Sequence, residues 1–282
     1  MKSSSQLFPV EIVSAEIRDH YYQDVYSLKP NKSHDKSVEV ALLHLHAKKD
    51  ASAQKQLLFV HDAFQSHWQW MDDGRTQDVI RKLLQGGYSI WLMDWRSHGS
   101  SKKNKRPWLN TLHDMAQYDL TSVLEFIGEK SQQRIDVIAQ GYGAQMALVA
   151  MPRLVQVRQY YFIDAQSPLP SRLYWIPGVR FWRWLKLMRK NWVLGNGDEP
   201  EPASLFRSML RGGGWLWLFA RRELSAEKAY FQSVAAKIVW LCTAGRFESK
   251  ARRLTRKHSR INRVATEQLL DELYGLITSE SI

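Results

Sequence analysis

Cysteine is almost missing from this chain. Cys242 is the single one among 282 residues and lies in an apolar run, so no internal disulfide can form. That usage suits a reducing, cytoplasmic setting. Long apolar runs are missing too: no stretch of roughly 18 apolar residues exists, which argues against a spanning helix. The opening Met1-Lys2-Ser3-Ser4-Ser5 leads into charged, alternating sequence rather than the apolar core of a signal peptide. There is no internal repeat and no phosphate-cradling loop, since Gly141-Tyr142-Gly143 fits neither the Walker nor the dinucleotide pattern. No cysteine–histidine cluster has metal-site spacing, so neither a metal nor any other cofactor is expected. Negative charge is scarce as well: 28 acidic residues face 40 basic ones, a net charge of +12. Such an excess attracts anionic partners, whether phospholipid headgroups, an acidic ligand or nucleic acid.

What is present suffices for a packed core, with 44% hydrophobic and 12% aromatic residues. Phe8 to Ile17 and Val38 to Leu45 alternate like half-buried strands, with the polar stretch Pro30 to Lys36 between them as a hairpin loop. Gln56 to His61, Tyr88 to Asp94, Ile135 to Ala139, Arg158 to Asp164 and Ile238 to Cys242 are short apolar runs suited to buried strands. Between them lie helical patterns. Asp78 to Gln85 carries Val79, Ile80, Leu83 and Leu84 on one face. A helix capped by Asn110 or Thr111 carries Ala116, Leu120, Val123, Leu124 and Ile127, and another runs from Ala144 to Met151. This alternation implies an α/β fold: a mostly parallel sheet with helices on both faces. From about Gln166 to Gln232 the strand signal vanishes. It returns at Ile238, with a weak short strand near Leu254, before a last helix lined by Leu269, Leu270, Leu273, Leu276 and Ile277. The simplest organisation is a core of residues 1–165 and 233–282 interrupted by a helical insertion, residues 166–232.

Five features occur in order along this frame. His61-Asp62-Ala63-Phe64 closes a strand. Asp94-Trp95-Arg96-Ser97-His98-Gly99-Ser100-Ser101 forms a loop, and Ala139-Gln140-Gly141-Tyr142-Gly143-Ala144 joins a strand to a helix. Gly245-Arg246-Phe247-Glu248 follows the late strand, and His258 precedes the last helix. Together they resemble the α/β-hydrolase superfamily, especially its esterase, lipase and lysophospholipase-like members. The resemblance implies an α/β-hydrolase fold whose insertion is a cap or lid. It places Gly141 at the nucleophile elbow, Glu248 or Asp164 at the acid position, His258 at the base position, and the amides of Ala63 and Tyr142 in the oxyanion hole.

Against that pattern the elbow carries glycine where such chemistry needs serine. Glycine relieves the strained backbone of the turn while removing the attacking oxygen, and Tyr142 is no substitute, a phenol of pKa near ~10 being a poor nucleophile. Asp62 replaces the oxyanion-hole glycine, where a carboxylate opposes a developing oxyanion unless it points away. Only nine residues separate Glu248 from His258, where the family fits a helix and a strand. His61 and His98 read as loop-bracing residues. The expectation is a catalytically impaired member that binds an acyl or lipid-like ligand, or a partner protein. The alternative is an active ester or lipid hydrolase that uses Ser100 or Ser101, or water activated by His258.

Half of the chain's 12 tryptophans fall in the insertion, among them Trp182, Trp184, Trp215 and Trp217. Arg180, Arg183, Lys186 and Arg189 recur every three positions among aromatic and aliphatic residues, as in helices that bury one face among headgroups. The pattern equally describes a cap helix packed on the core. Trp182, Trp184, Trp215 and Trp217 are the candidate ligand or membrane contacts, giving a cytoplasmic protein with peripheral attachment to an anionic membrane surface. The basic run Arg246 to Arg263 lacks stacking aromatics and any reader motif, which argues against nucleic acid.

Overall fold

The computed structural model describes residues 9–18, 21–30, 32–47, 55–72, 74–154, 156–166, 178–211, 230–255 and 260–279. Its centre is a nine-stranded sheet in the order β1-β2-β3-β5-β4-β6-β7-β10-β11. The strands are β1 (Val10–Ile17), β2 (Tyr21–Leu28), β3 (Val40–Ala47), β4 (Lys55–Val60), β5 (Tyr88–Met93), β6 (Ile135–Gln140), β7 (Val157–Ile163), β10 (Ile238–Cys242) and β11 (Arg260–Arg263). From β5 to β11 every neighbouring pair is parallel, while β1, β2 and β3 add an antiparallel edge.

Each parallel strand alternates between two cores. Leu58 and Val60 of β4 join the face covered by residues 112–131 and the helix Gly141–Ala150. Leu57 and Phe59 join the face covered by the helices Gly74–Gln85 and Leu269–Ser279. Strands buried on both sides must be apolar throughout, which is why they read as continuous runs in the sequence. The expected stripe Ala116, Leu120, Val123, Leu124 and Ile127 is fully buried. Thr111 caps this helix as expected, its Oγ1 accepting from the Asp114 amide at 3.1 Å. A wide π-helical turn, Met115–Leu120, carries Asp119 inward to Arg96.

Three expectations are corrected. A strand, β2, lies between the two strands expected near the N-terminus, so Pro30 to Lys36 joins β2 to β3 rather than the first expected strand to the second. Its sequence, Tyr21-Tyr22-Gln23-Asp24-Val25-Tyr26-Ser27-Leu28, mixes polar and aromatic residues on both faces and so hides the period-two signal. Leu254 sits in a helix, Gly245–Thr255, and the short strand follows it at Arg260–Arg263. The insertion also holds a small antiparallel pair, β8 (Trp192–Val193) with β9 (Glu201–Pro202), between the helices Val179–Met188 and Ala203–Arg211. Among the described residues no helix is long and apolar enough to cross a membrane.

Candidate functional site

Parallel strands gather their C-terminal ends on one edge of the sheet, where an α/β fold holds its ligands. Here the ends of β4, β6 and β7 bring together Asp62, Gly141 and Asp164. Gly141 opens the helix Gly141–Ala150 directly after β6, at φ +52°. That left-handed conformation strains any residue with a Cβ. The turn is further crowded at Gly143, where a Cβ would overlap the His61 carbonyl, so helix and strand approach as closely as glycine allows.

A second crowding decides the character of the site. A Cβ built on Gly141 would overlap the carboxylate of Asp62. That carboxylate points inward: its Oδ1 accepts from the amides of Ala63 and Tyr142, both at 2.7 Å. The amide pair that the family resemblance assigns to an oxyanion hole is thus already engaged by a carboxyl oxygen of the chain itself. The N-terminus of the helix Gly141–Ala150 favours this placement through its free amides and its dipole. Burial opposes it. Desolvation raises the Asp62 pKa, the two amide bonds pull it back, and Glu201 and Asp164 push it up again, leaving it above the ordinary carboxylate value. Gln69 fastens the arrangement, accepting from the Asp62 amide at 3.1 Å and donating to Gln140 Oε1 at 2.5 Å.

Asp164, one of the two acid candidates, stands beside Asp62 at this edge. It sits at φ +46° after β7, and its carboxylate accepts from the Thr243 amide at 2.8 Å and the Thr243 hydroxyl at 2.6 Å. Glu248 lies in the first turn of the helix Gly245–Thr255 and pairs with Arg252 at 2.7 Å. Nearby, Lys250 donates to Gln166 Oε1 at 2.5 Å, and burial together with Arg246 lowers its pKa against the pull of Asp164. His258, Trp215 and Trp217 lie outside the described residues. After β11 the chain continues Val264-Ala265-Thr266, and no histidine follows Arg263 in the sequence.

The loop after β5 is a brace. Asp94 is fully buried and accepts from the His67 amide and ring nitrogen, each at 2.7 Å, and from the Ser100 amide at 2.8 Å. Arg96 and Asp119 form a buried two-pronged pair. His61 Nε2 accepts from the Trp95 amide at 3.0 Å, and burial, reinforced by His98, lowers the His61 pKa to about 3, so the ring is neutral. Burial also works against charge on His98, but Glu201 Oε1 at 3.2 Å outweighs it and raises the pKa. Both histidines brace loops, as expected. Ser101 is buried, its Oγ accepting from the Ala41 amide at 2.7 Å, and neither it nor Ser100 lines the cleft described next.

Beside the elbow opens a cleft of about 580 Å³. Phe64, Trp70, Tyr142, Phe247, Leu269 and Leu270 give it an apolar wall, while Gln69, Gln140, Gln166, Asn196 and Arg246 add polar groups. Gly195 and Gly197 of the insertion close over Phe64, where side chains at either position would collide. Trp182 is 68% exposed and Trp184 half-buried, and neither lines the cleft. Sequence reasoning missed Gln69, Gln166 and Glu201, which no local pattern marks.

Residues 57–270 match the model of the alpha/beta hydrolase family. The chain belongs to that family. Relatives in it include the human protein "Lipase member N", 27% identical over 107 residues, which make up 34% of this chain and 27% of that protein. The rat "Gastric triacylglycerol lipase" is 21% identical over 194 residues, 62% of this chain and 45% of that protein. The chain thus spans less than half the length of these two lipases. Among solved structures, the thioesterase domain from the curacin biosynthetic pathway has a TM-score of 0.58 at 11% identity, covering 95% of this chain and 99% of that one. An esterase from Thermogutta terrifontis has a TM-score of 0.58 at 11% identity, covering 89% and 95%. At such identities these two structures establish the shared fold alone.

Proposed function

We propose that this alpha/beta hydrolase family member has lost ester hydrolysis and uses the surviving cleft to bind an acyl or lipid-like molecule with a polar or anionic head. The observation that carries this reading is the Asp62 carboxylate, which accepts from both amides of the hole while lying where a side chain on residue 141 would begin. An acyl-transfer site needs those amides free for the negative charge that develops on substrate. It also needs a hydroxyl and a base, and in this chain the elbow presents only hydrogen, while no histidine stands among the described residues that line the cleft. The aromatic and leucine wall suits an acyl chain, and Arg246 with the side-chain amides suits a carboxylate or ester head.

Peripheral membrane contact belongs to the same reading. Phe181, Trp182, Met188, Trp192 and Leu194 are exposed on the insertion beside Arg183, Lys186, Arg189 and Lys190. Aromatic bodies and cationic heads together suit an anionic lipid surface.

The test is direct. Purified protein is incubated with a fluorophosphonate probe and with short- and long-chain p-nitrophenyl esters, and is titrated with a fluorescent fatty acid. The expected result is no covalent labelling, no turnover above background, and saturable fatty-acid binding weakened by Arg246→Gln. Labelling, or turnover that purification does not remove, overturns the reading.

A second reading, hydrolysis by water activated at Asp62, draws on that residue's raised pKa. It requires turnover that Asp62→Asn abolishes. The Ser100, Ser101 and His258 alternatives would instead leave turnover intact in Asp62→Asn.

A further inference from the structure

On the antiparallel edge of the sheet, away from the elbow, the register sets His44 of β3 directly opposite Asp24 of β2, and His46 two residues along the same face. The three side chains converge. His46 Nε2 lies 3.5 Å from Asp24 Oδ2 and His44 Nδ1 lies 4.0 Å from the same oxygen, with all three donor atoms within 4.8 Å of one another. We propose that Asp24, His44 and His46 form a binding site for a divalent transition-metal ion, Zn(II) in particular, with one coordination position left open.

Two imidazoles and a carboxylate are a donor set suited to zinc. Bonds of about 2.0–2.2 Å in a tetrahedral site put neighbouring donors roughly 3.3 Å apart; His46 Nε2 already stands near that distance from Asp24 Oδ2, and His44 Nδ1 must close in from 4.0 Å. His44 Nδ1 is the second, independent sign. The residue is 8% exposed, yet this nitrogen has no hydrogen-bond partner although it is aimed at the cluster. A buried ring nitrogen left without a partner is costly unless something else satisfies it. The opposite nitrogen, Nε2, lies 2.6 Å from Ser89 Oγ. Donation from Nε2–H to that hydroxyl leaves the Nδ1 lone pair facing Asp24, the arrangement by which proteins orient a ligating histidine.

Packing holds both rings in place. His44 stacks on Trp91 with centroids 3.7 Å apart and planes 6° apart, His46 stacks against His44 at 4.6 Å, and Tyr22 covers His46 at 5.4 Å. The Tyr26 hydroxyl donates to Asp24 Oδ2 at 3.1 Å and fixes the carboxylate. The Lys130 ammonium opposes a cation here: it contacts the Tyr26 hydroxyl and lies 4.4 Å over its ring. The His46 side chain is 33% exposed, so an ion can enter from solvent. Local pattern does not mark this site, because its carboxylate comes from the strand whose period was hidden.

The test titrates the full chain, stripped by chelator and dialysed, with ZnCl2 by calorimetry at pH 7.5, and with CoCl2 by visible absorption. The expected result is one saturable zinc site, with cobalt absorption characteristic of low coordination number. Asp24→Asn and His46→Gln, each checked by circular dichroism for an unchanged fold, are expected to weaken binding at least about tenfold. Lys130→Met removes the opposing charge and is expected to tighten it roughly threefold to tenfold. No saturable binding up to about 100 μM zinc, or binding that survives both ligand substitutions, overturns the proposal.

Discussion

Two aspartates at the same edge of the sheet accept pairs of backbone amides, yet their surroundings drive them in opposite directions. Asp94 meets burial that opposes its charge, but the His67 ring outweighs it, and the Asp94 pKa falls below the ordinary carboxylate value. Asp62 meets burial of the same sign, and its other neighbours, Glu201 and Asp164, add to it. One carboxylate is a brace that stabilises the loops by being charged. The other is held in place by its two amide bonds although its surroundings disfavour its charge. Two amide bonds are common to both residues, and the opposite electrostatics come from what else surrounds each carboxylate, an imidazole at Asp94 and two acids at Asp62.

The largest effects should come from the brace. Asp94→Asn removes the partner of buried His67, and Arg96→Met leaves Asp119 uncompensated at full burial. Each is expected to cost about 3–5 kcal/mol in urea unfolding at pH 7. For Asp94→Asn the loss should shrink as pH falls below 3.8 and through the lowered folded pKa, because the wild-type carboxylate then loses its own charge. A loss independent of pH would break the comparison.

Gly141→Ser comes next. It places a Cβ at positive φ against the Asp62 carboxylate, and is expected to destabilise by about 1–3 kcal/mol. The Asp62→Gly, Gly141→Ser double variant should recover most of that loss, a coupling visible in a double-mutant cycle. Additive single effects would mean that the two positions do not compete for one space.

Smaller still, and of opposite sign, is Asp62→Asn. Because the folded pKa is raised, ionisation of the native carboxylate costs stability as pH climbs above the ordinary 3.8 and through the folded value. The amide oxygen of asparagine can keep both backbone bonds without the charge. The variant should match wild type below that window and exceed it by about 1 kcal/mol at neutral pH. Destabilisation at neutral pH would place the two aspartates in one class. Glu248→Gln should change stability by less than about 0.5 kcal/mol, since its pair with the exposed Arg252 is a surface helix pair. A loss of several kcal/mol there would restore Glu248 as a structural centre.

Much of the frame was legible from local pattern. The runs at Leu57, Ile90, Val137, Tyr160 and Val239 read as buried strands because a strand covered on both faces must be apolar along its length. The turn at Gly141 was legible for a similar reason, since a strand-to-helix bend between small residues leaves a local signature. Tyr21 to Leu28 escaped, because a strand with polar and aromatic residues on both faces has no clean period. Glu201 escaped as well: it reaches the Phe64 amide at 3.2 Å and His98 across a distance in sequence that no motif spans.

The sequence by itself determined the alternation of the buried parallel strands with helices, and the bend at Gly141 with no side chain at its apex; both follow from short-range backbone preference and burial. Only the tertiary structure decided that Asp62 turns into the amide pair, that Asp164 stands beside it, and that Asp24 meets His44 and His46. Those are convergences of side chains far apart in the chain. They depend on strand register and helix placement, which the packing of the whole sheet fixes and no local stretch encodes.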